Sequence, residues 1–128
     1  MMNRILIVED DRQNREGLRT LVANAGFRVT VAADYQRAAA LLETRRFDLL
    51  ITDLDLPGGN GLDLVHHARA FSPRIGTILV TAFGCSEVRK QARDLGLVGY
   101  FEKPVDPRAL MDLVRSSLHG RPVTARSR

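Results

Sequence analysis

The chain has 128 residues, of which 45% are hydrophobic and 27% charged, a balance that excludes disordered and fibrous classes and suits one domain with its own core. Its formal net charge is +4, but Arg121, Arg126 and Arg128 close a C-terminal segment without acids, and the rest of the chain is nearly neutral. A nucleic-acid face needs cations clustered on one element; here arginines are spread over every predicted helix, so no direct nucleic-acid binding is expected.

The first apolar run, Ile5 to Val8, predicts a strand over Arg4–Val8. It runs at once into the acids Glu9, Asp10 and Asp11, which is not the pattern of a signal peptide. A helix follows over Gln13–Asn24, with Leu18, Leu21, Val22 and Ala25 on one stripe and Gly26 where a left-handed cap is expected. Next come a strand over Phe27–Val31 and a helix over Tyr35–Arg45, with Asp34 as its N-cap. The third pair is a strand over Asp48–Thr52 and a helix over Leu62–Phe71. The fourth is Thr77–Thr81 and Ser86–Leu95, closed by Gly96. The fifth is Val98–Phe101 and Pro107–Leu118, with Asp106 as cap and Pro107 in the first turn. The longest wholly apolar stretches, Ile5 to Val8 and Ala38 to Leu42, are too short to span a bilayer. The lone Cys85 cannot form an internal disulfide or a paired-thiol metal site, so a reducing, cytoplasmic setting is expected.

The strands are apolar on both faces instead of alternating, as parallel strands covered on both sides are. Five strand–helix pairs in strict alternation imply an α/β fold, a doubly wound five-stranded parallel sheet with right-handed crossovers. Residues 1–120 read as one domain. Residues 121–128 read as a basic flexible tail or the stub of a linker.

Ligands of such a sheet bind outside the carboxyl ends of its strands. There the first strand delivers Glu9, Asp10 and Asp11, the third Asp53 within TDLDLPGGNG, and the fourth Thr81 within ILVTAFG. The fifth is followed by Lys103-Pro104 within GYFEKPV. Each has a plainer reading: Asp10 or Asp11 as a helix cap, Asp53 as a turn residue before Pro57, Thr81 as a strand-end β-branched residue, Lys103 as a solvated charge. Together they resist it. Gathered carboxylates repel one another unless a cation sits among them, and a hard divalent ion with oxygen ligands plus Lys103 meets that need. Such parts suit phosphoryl transfer to a carboxylate, Asp53, with Mg²⁺ held at Asp10 and Asp53 and with Thr81 and Lys103 on the remaining oxygens.

From Arg4 to about His119 the chain resembles the receiver domains of two-component response regulators. The likeness rests on ILIVEDD, LLITDLDLPGGNGLDL, ILVTA and GYFEKPV in that order, with Thr81 and Lys103 at the family's spacing. It implies the flavodoxin-like (βα)₅ sheet in the order 2-1-3-4-5. It also implies phosphorylation of Asp53 by a sensor histidine kinase or a histidine phosphotransfer protein, with Mg²⁺ as cofactor. Asp10 matches the direct metal ligand, Glu9 the acid acting mainly through water, and Asp55 the position whose backbone carbonyl completes the metal site. Thr81 matches the switch hydroxyl, Tyr100 the aromatic that changes rotamer and Lys103 the phosphoryl-binding lysine, before a Pro104 whose peptide bond is typically cis. Phe83, two residues after Thr81, stands where a side chain overhangs the water that removes the phosphate. The resemblance implies no turnover beyond the domain's own phosphorylation and dephosphorylation. It implies a switched surface around the fourth helix, fifth strand and fifth helix, read by a downstream protein or a C-terminal output domain, with room for a phosphorylation-dependent homodimer. Gly99 stands where one DNA-binding subfamily has an acid used in dimer salt bridges, so a dimer of that type is not implied.

Three other functions share some of these features. A haloacid-dehalogenase-type phosphatase shares the apolar run before Asp53-x-Asp55, but its acidic pair follows the lysine and no cap domain fits in this length. A flavodoxin-like electron carrier needs a phosphate-binding loop after the first strand, where EDDRQNR would repel FMN. A phosphorylation-independent interaction module would not need the acidic, Thr81 and Lys103 set. Other features carry no site: His66 and His67 face different directions on the third helix, His119 suits the negative end of the last one, and nothing supports a reactive Cys85. The run from Pro57 to Gly61 lacks a P-loop ending and is expected to leave the loop after Asp53 free to admit a partner.

Overall fold

The computed structural model describes residues 3–119; the expected tail, residues 121–128, lies outside the described residues. In chain order the elements are β1 (Arg4–Val8), α1 (Arg12–Asn24), β2 (Arg28–Ala32), α2 (Tyr35–Thr44), β3 (Leu49–Asp53), β4 (Asp55–Leu56), β5 (Gly59–Asn60), α3 (Gly61–Phe71), β6 (Gly76–Thr81), α4 (Ser86–Asp94), β7 (Gly99–Glu102) and α5 (Pro107–His119). Every expected strand and helix is present with its ends shifted by one residue at most. Caps set several of those ends. Asp11 Oδ2 accepts from the Asn14 amide at 2.8 Å and starts α1, and Asp34 Oδ1 accepts from Arg37 at 2.8 Å and starts α2. Asp106 Oδ1 accepts from the Arg108 amide at 3.0 Å at the start of α5. Beyond α1 and α4, Gly26 and Gly96 take the positive φ values of 99° and 69° that end a helix in the left-handed region.

The main sheet has five parallel strands in the order β2-β1-β3-β6-β7. That is the expected order once the two-residue strands β4 and β5 are set aside. Alternation along each strand divides the core. Ile5, Ile7, Leu49, Ile51, Ile78 and Val80 pack under α1 and α5 through Val22, Leu110 and Val114. On the opposite face Leu6, Val8 and Leu50 meet α2 and α3 through Ala38, Leu42, Leu64 and Ala68, while Leu79 meets Leu54 and Leu62 beneath α4. β3 is central and buried along its whole length, so Asp53 at its end is carried by the best-supported backbone in the molecule.

The segment after Asp53 departs from expectation. It is a small antiparallel ribbon, with Asp55 opposite Asn60 and Leu56 opposite Gly59, and two-residue strands leave no hydrophobic period to detect. Gly59 and Gly61 answer to close packing, and Gly58 to a positive φ of 85°. A Cβ on Gly61 would stand 2.2 Å from the Asp53 carbonyl oxygen, and one on Gly59 would stand 2.5 Å from the Tyr35 ring. The Tyr35 amide donates to the Pro57 carbonyl at 3.0 Å, and Asn60 caps α3 through the Leu62 amide. The run from Pro57 to Gly61 is tied down on three sides, not a free loop.

Candidate functional site

Parallel pairing brings the carboxyl ends of β1 and β3 side by side, with Val8 opposite Thr52. Each strand then adds one acid at its rim: Glu9 just past β1, Asp53 as the last residue of β3. Both are buried, at 2% and 8% exposure, and Asp10 beside them is exposed. One carboxylate oxygen from each of Glu9, Asp10 and Asp53 lies within 4.8 Å of the other two.

The cation the gathered charges require is Lys103, at the end of β7. Its Nζ donates to Glu9 Oε1 at 2.7 Å and to Asp53 Oδ2 at 2.9 Å. Burial alone would lower the lysine pKa, but the hydrogen bonds to Glu9 and Asp53 outweigh it, and the group is held above its ordinary value as a firm cation. Burial raises the Glu9 carboxyl above its usual range, against the lowering pull of hydrogen bonds from Lys103 and the Asp11 amide. Arg15, on the first turns of α1, donates from Nη1 to the carbonyls of Glu9 at 3.0 Å and Asp10 at 3.2 Å and so pins the acidic turn. The sequence carried no periodic or motif signal for that contact.

The donor set fits a small hard cation. Both Glu9 oxygens are engaged, Oε1 by Lys103 and Oε2 by the Asp11 amide at 3.0 Å. Asp53 gives only Oδ2 to Lys103, and the Asp10 carboxylate accepts no hydrogen bond among the described residues. The exposed Asp10 carboxylate and Asp53 Oδ1 therefore stay without a protein partner among the described residues, beside a fully engaged Glu9, which matches an ion that binds one or two carboxylates and keeps several waters.

The remaining expected residues stand around this centre. Asp55, in the ribbon, is exposed and its carboxylate lies outside the cluster. Thr81 is fully buried, and its hydroxyl accepts from the Phe83 amide at 3.2 Å; its carbonyl accepts from the Lys103 amide at 2.8 Å. Phe83 is 83% exposed, so its ring does not pack against α4. Tyr100 points its hydroxyl outward to Glu102. The Lys103-Pro104 peptide is cis. Of the two neighbouring histidines, His66 is exposed, while Nε2 of His67 lies 2.8 Å from Glu43 Oε2 and its ring meets Phe71. Among the described residues no helix is long and apolar enough to cross a membrane.

The geometry agrees with what the chain is similar to. The family model described as response regulator receiver domain matches residues 5–115. A response regulator receiver protein of Anaeromyxobacter sp. is 36% identical over 112 residues, covering 88% of this chain and 47% of that protein. The transcriptional regulatory protein CpxR of Klebsiella pneumoniae is 37% identical over 117 residues, 91% of this chain and 50% of its own length. For PilR of Pseudomonas aeruginosa the figures are 34%, 88% and 25%; the chain thus spans a quarter to a half of these relatives. Among solved structures, a CheY-like receiver domain of Methanospirillum hungatei superposes with a TM-score of 0.88 at 29% identity, covering 93% of this chain and 95% of that one. The receiver domain of a sensor histidine kinase from Pseudomonas aeruginosa, solved with a magnesium ion coordinated in its active site cleft, has a TM-score of 0.82 at 26% identity, with coverage of 94% and 100%. Phosphorylation-dependent switching is standard in this family, its members bind Mg²⁺ at an acidic pocket, and it is not a family of classical enzymes, which sets aside the phosphatase and the electron carrier. With the fold, the acidic rim and the matched residues in agreement, the chain belongs to the receiver domains of two-component response regulators.

Proposed function

We propose that Asp53 accepts a phosphoryl group from the phosphohistidine of a sensor histidine kinase or a histidine phosphotransfer protein, in the cytoplasm. The observation that carries this reading is the single ammonium of Lys103 shared between Glu9 and Asp53, which leaves Asp53 Oδ1 without a protein partner among the described residues. That oxygen attacks phosphorus in line. An O–P bond forms as the N–P bond breaks, and the imidazole nitrogen keeps the electron pair. Lys103 shifts from the Asp53 carboxylate to a phosphoryl oxygen, and the Thr81 hydroxyl turns from the Phe83 amide to donate to another. Asp10, Asp53, the Asp55 backbone carbonyl and, less directly, Glu9 would hold Mg²⁺, which would supply the divalent charge that neutralises the phosphoryl oxygens. The chain thereby catalyses its own phosphorylation, and its own dephosphorylation when water attacks phosphorus opposite the Asp53 oxygen.

The movement of Thr81 vacates space for Tyr100 to turn inward, changing the surface of α4, β7 and α5 that a downstream protein, an output domain or a second phosphorylated copy would read. The test is incubation with acetyl phosphate and Mg²⁺ followed by intact mass measurement. One phosphoryl group should appear on the wild type and none on Asp53→Asn. Full labelling of that variant, at Asp55 for example, would sink the assignment.

A further inference from the structure

Four residues from three parts of the chain meet beside the switch: Gly84 in the loop after β6, Arg89 in α4, and Tyr100 and Glu102 in β7. Tyr100 and Glu102 are two apart on a strand and share its face. The Tyr100 hydroxyl donates to Glu102 Oε2 at 3.4 Å, and Arg89 Nη2 lies 3.7 Å from that same oxygen. Gly84 makes room for both groups. A Cβ there would stand 2.1 Å from the Tyr100 hydroxyl and 2.3 Å from Glu102 Oε2. The backbone of Gly84 lies outside the left-handed region, so the nearest obstacle to an alanine there is these two side-chain ends.

We infer that Glu102, Arg89 and the bare Gly84 form a clasp that holds Tyr100 outward and so sets the resting bias of the switch. The inference rests on the switching role proposed above for Tyr100 and concerns how that site is regulated. The outward position is the one that keeps the tyrosyl donor on Glu102 over Gly84, and a ring turned inward gives up both contacts. Arg89 and Glu102 are about half exposed, at 53% and 50%, so the ion pair is screened and contributes modestly. A modest contribution suits a device that one phosphoryl group must override. The atoms nearest a Gly84 Cβ are the ends of flexible side chains, so the cheapest response to added bulk is rotation of Tyr100 and Glu102 away from the loop.

The clasp is tested on unphosphorylated protein labelled with fluorotyrosine, since the chain has two tyrosines and so two ¹⁹F resonances, Tyr35 and Tyr100. Gly84→Ala should move the Tyr100 resonance towards its phosphorylated position and leave Tyr35 in place. It should also speed phosphorylation by acetyl phosphate at least about tenfold, as expected where added bulk excludes the resting rotamer. Glu102→Ala and Arg89→Ala, surface changes without risk to folding, should shift the same resonance and raise the rate about two- to fivefold. In a Tyr100→Phe background Glu102→Ala should change nothing. A Tyr100 resonance unmoved in all three variants, or a rate gain that survives in the Tyr100→Phe background, overturns the clasp. A wild-type chain that takes no phosphoryl group overturns the proposed function instead.

Discussion

Replacing Lys103 by methionine keeps most of the stem and removes the one ammonium between two buried acids. Glu9 and Asp53 are then left with carboxylate oxygens within 4.8 Å, a repulsion of about 3.5 kcal/mol at an effective dielectric of about 20. Without metal the protein can relieve it by protonating Glu9, whose carboxyl is already raised by burial from its ordinary value of 4.5. Holding it neutral at pH 7, well above that ordinary value, costs on the order of 3 kcal/mol. Both are of the order expected for breaking a buried ion pair. Lys103→Met should lose about 3 kcal/mol of stability at pH 7. A carboxyl raised in the folded state contributes stability that is complete below its unfolded pKa and is lost as pH rises through its folded pKa. The loss should therefore shrink to below about 1 kcal/mol at pH 5. Saturating Mg²⁺ should restore part of it at pH 7 by resupplying positive charge. With no tryptophan in the chain, urea unfolding is best followed by far-ultraviolet circular dichroism in chelated buffer and then with Mg²⁺. A loss under about 1 kcal/mol at pH 7, or one unchanged between pH 5 and pH 7, would refute the reasoning.

Three further outcomes are expected. Asp10→Ala removes the most open carboxylate of the rim and should weaken Mg²⁺ binding by more than about tenfold; calorimetric titration showing unchanged affinity would remove Asp10 from the ligand set, and the relieved repulsion should leave folding stability unchanged or higher. Thr77 Oγ1 is buried with no hydrogen-bond partner among the described residues, so Thr77→Val should stabilise the fold by about 1 kcal/mol; a lower urea midpoint would mean the hydroxyl is satisfied. Phe83 offers no group to orient water, so Phe83→Glu should shorten the phosphorylated lifetime in excess Mg²⁺ by up to about tenfold; equal decay rates would discard the shielding role.

The alternation of strands and helices, their caps and their ends were legible because each is written in neighbouring residues. Two-sided apolar runs mark covered strands, and Asp34 and Asp106 precede the helices they cap, whereas the choice between Asp10 and Asp11 as cap of α1 was settled for Asp11 only by the structure. The site was legible for a related reason: in a parallel sheet the residues just past each strand must share one rim, so Glu9, Asp53, Thr81 and Lys103 could be placed at that rim from their positions alone. The ribbon of β4 and β5 was not, because two residues carry no period. Nor were the packed glycines at 59 and 61, whose partners, Tyr35 and the Asp53 carbonyl, belong to other segments.

What the sequence alone determined, then, is which elements form and which chemical groups reach one edge of the sheet. Tertiary structure alone decided how those groups divide the work. Lys103 meets Glu9 across 94 residues and Asp53 across 50, so no local pattern encodes the shared ammonium that engages Glu9 and leaves Asp10 open. The same holds for Arg15 on the acidic turn and for Gly84 beneath Tyr100 and Glu102. Periodicity records how a residue faces its neighbours a few places along the chain. A contact between strand ends depends on which strands lie side by side, in what register and at what depth, and only the folded sheet settles all three.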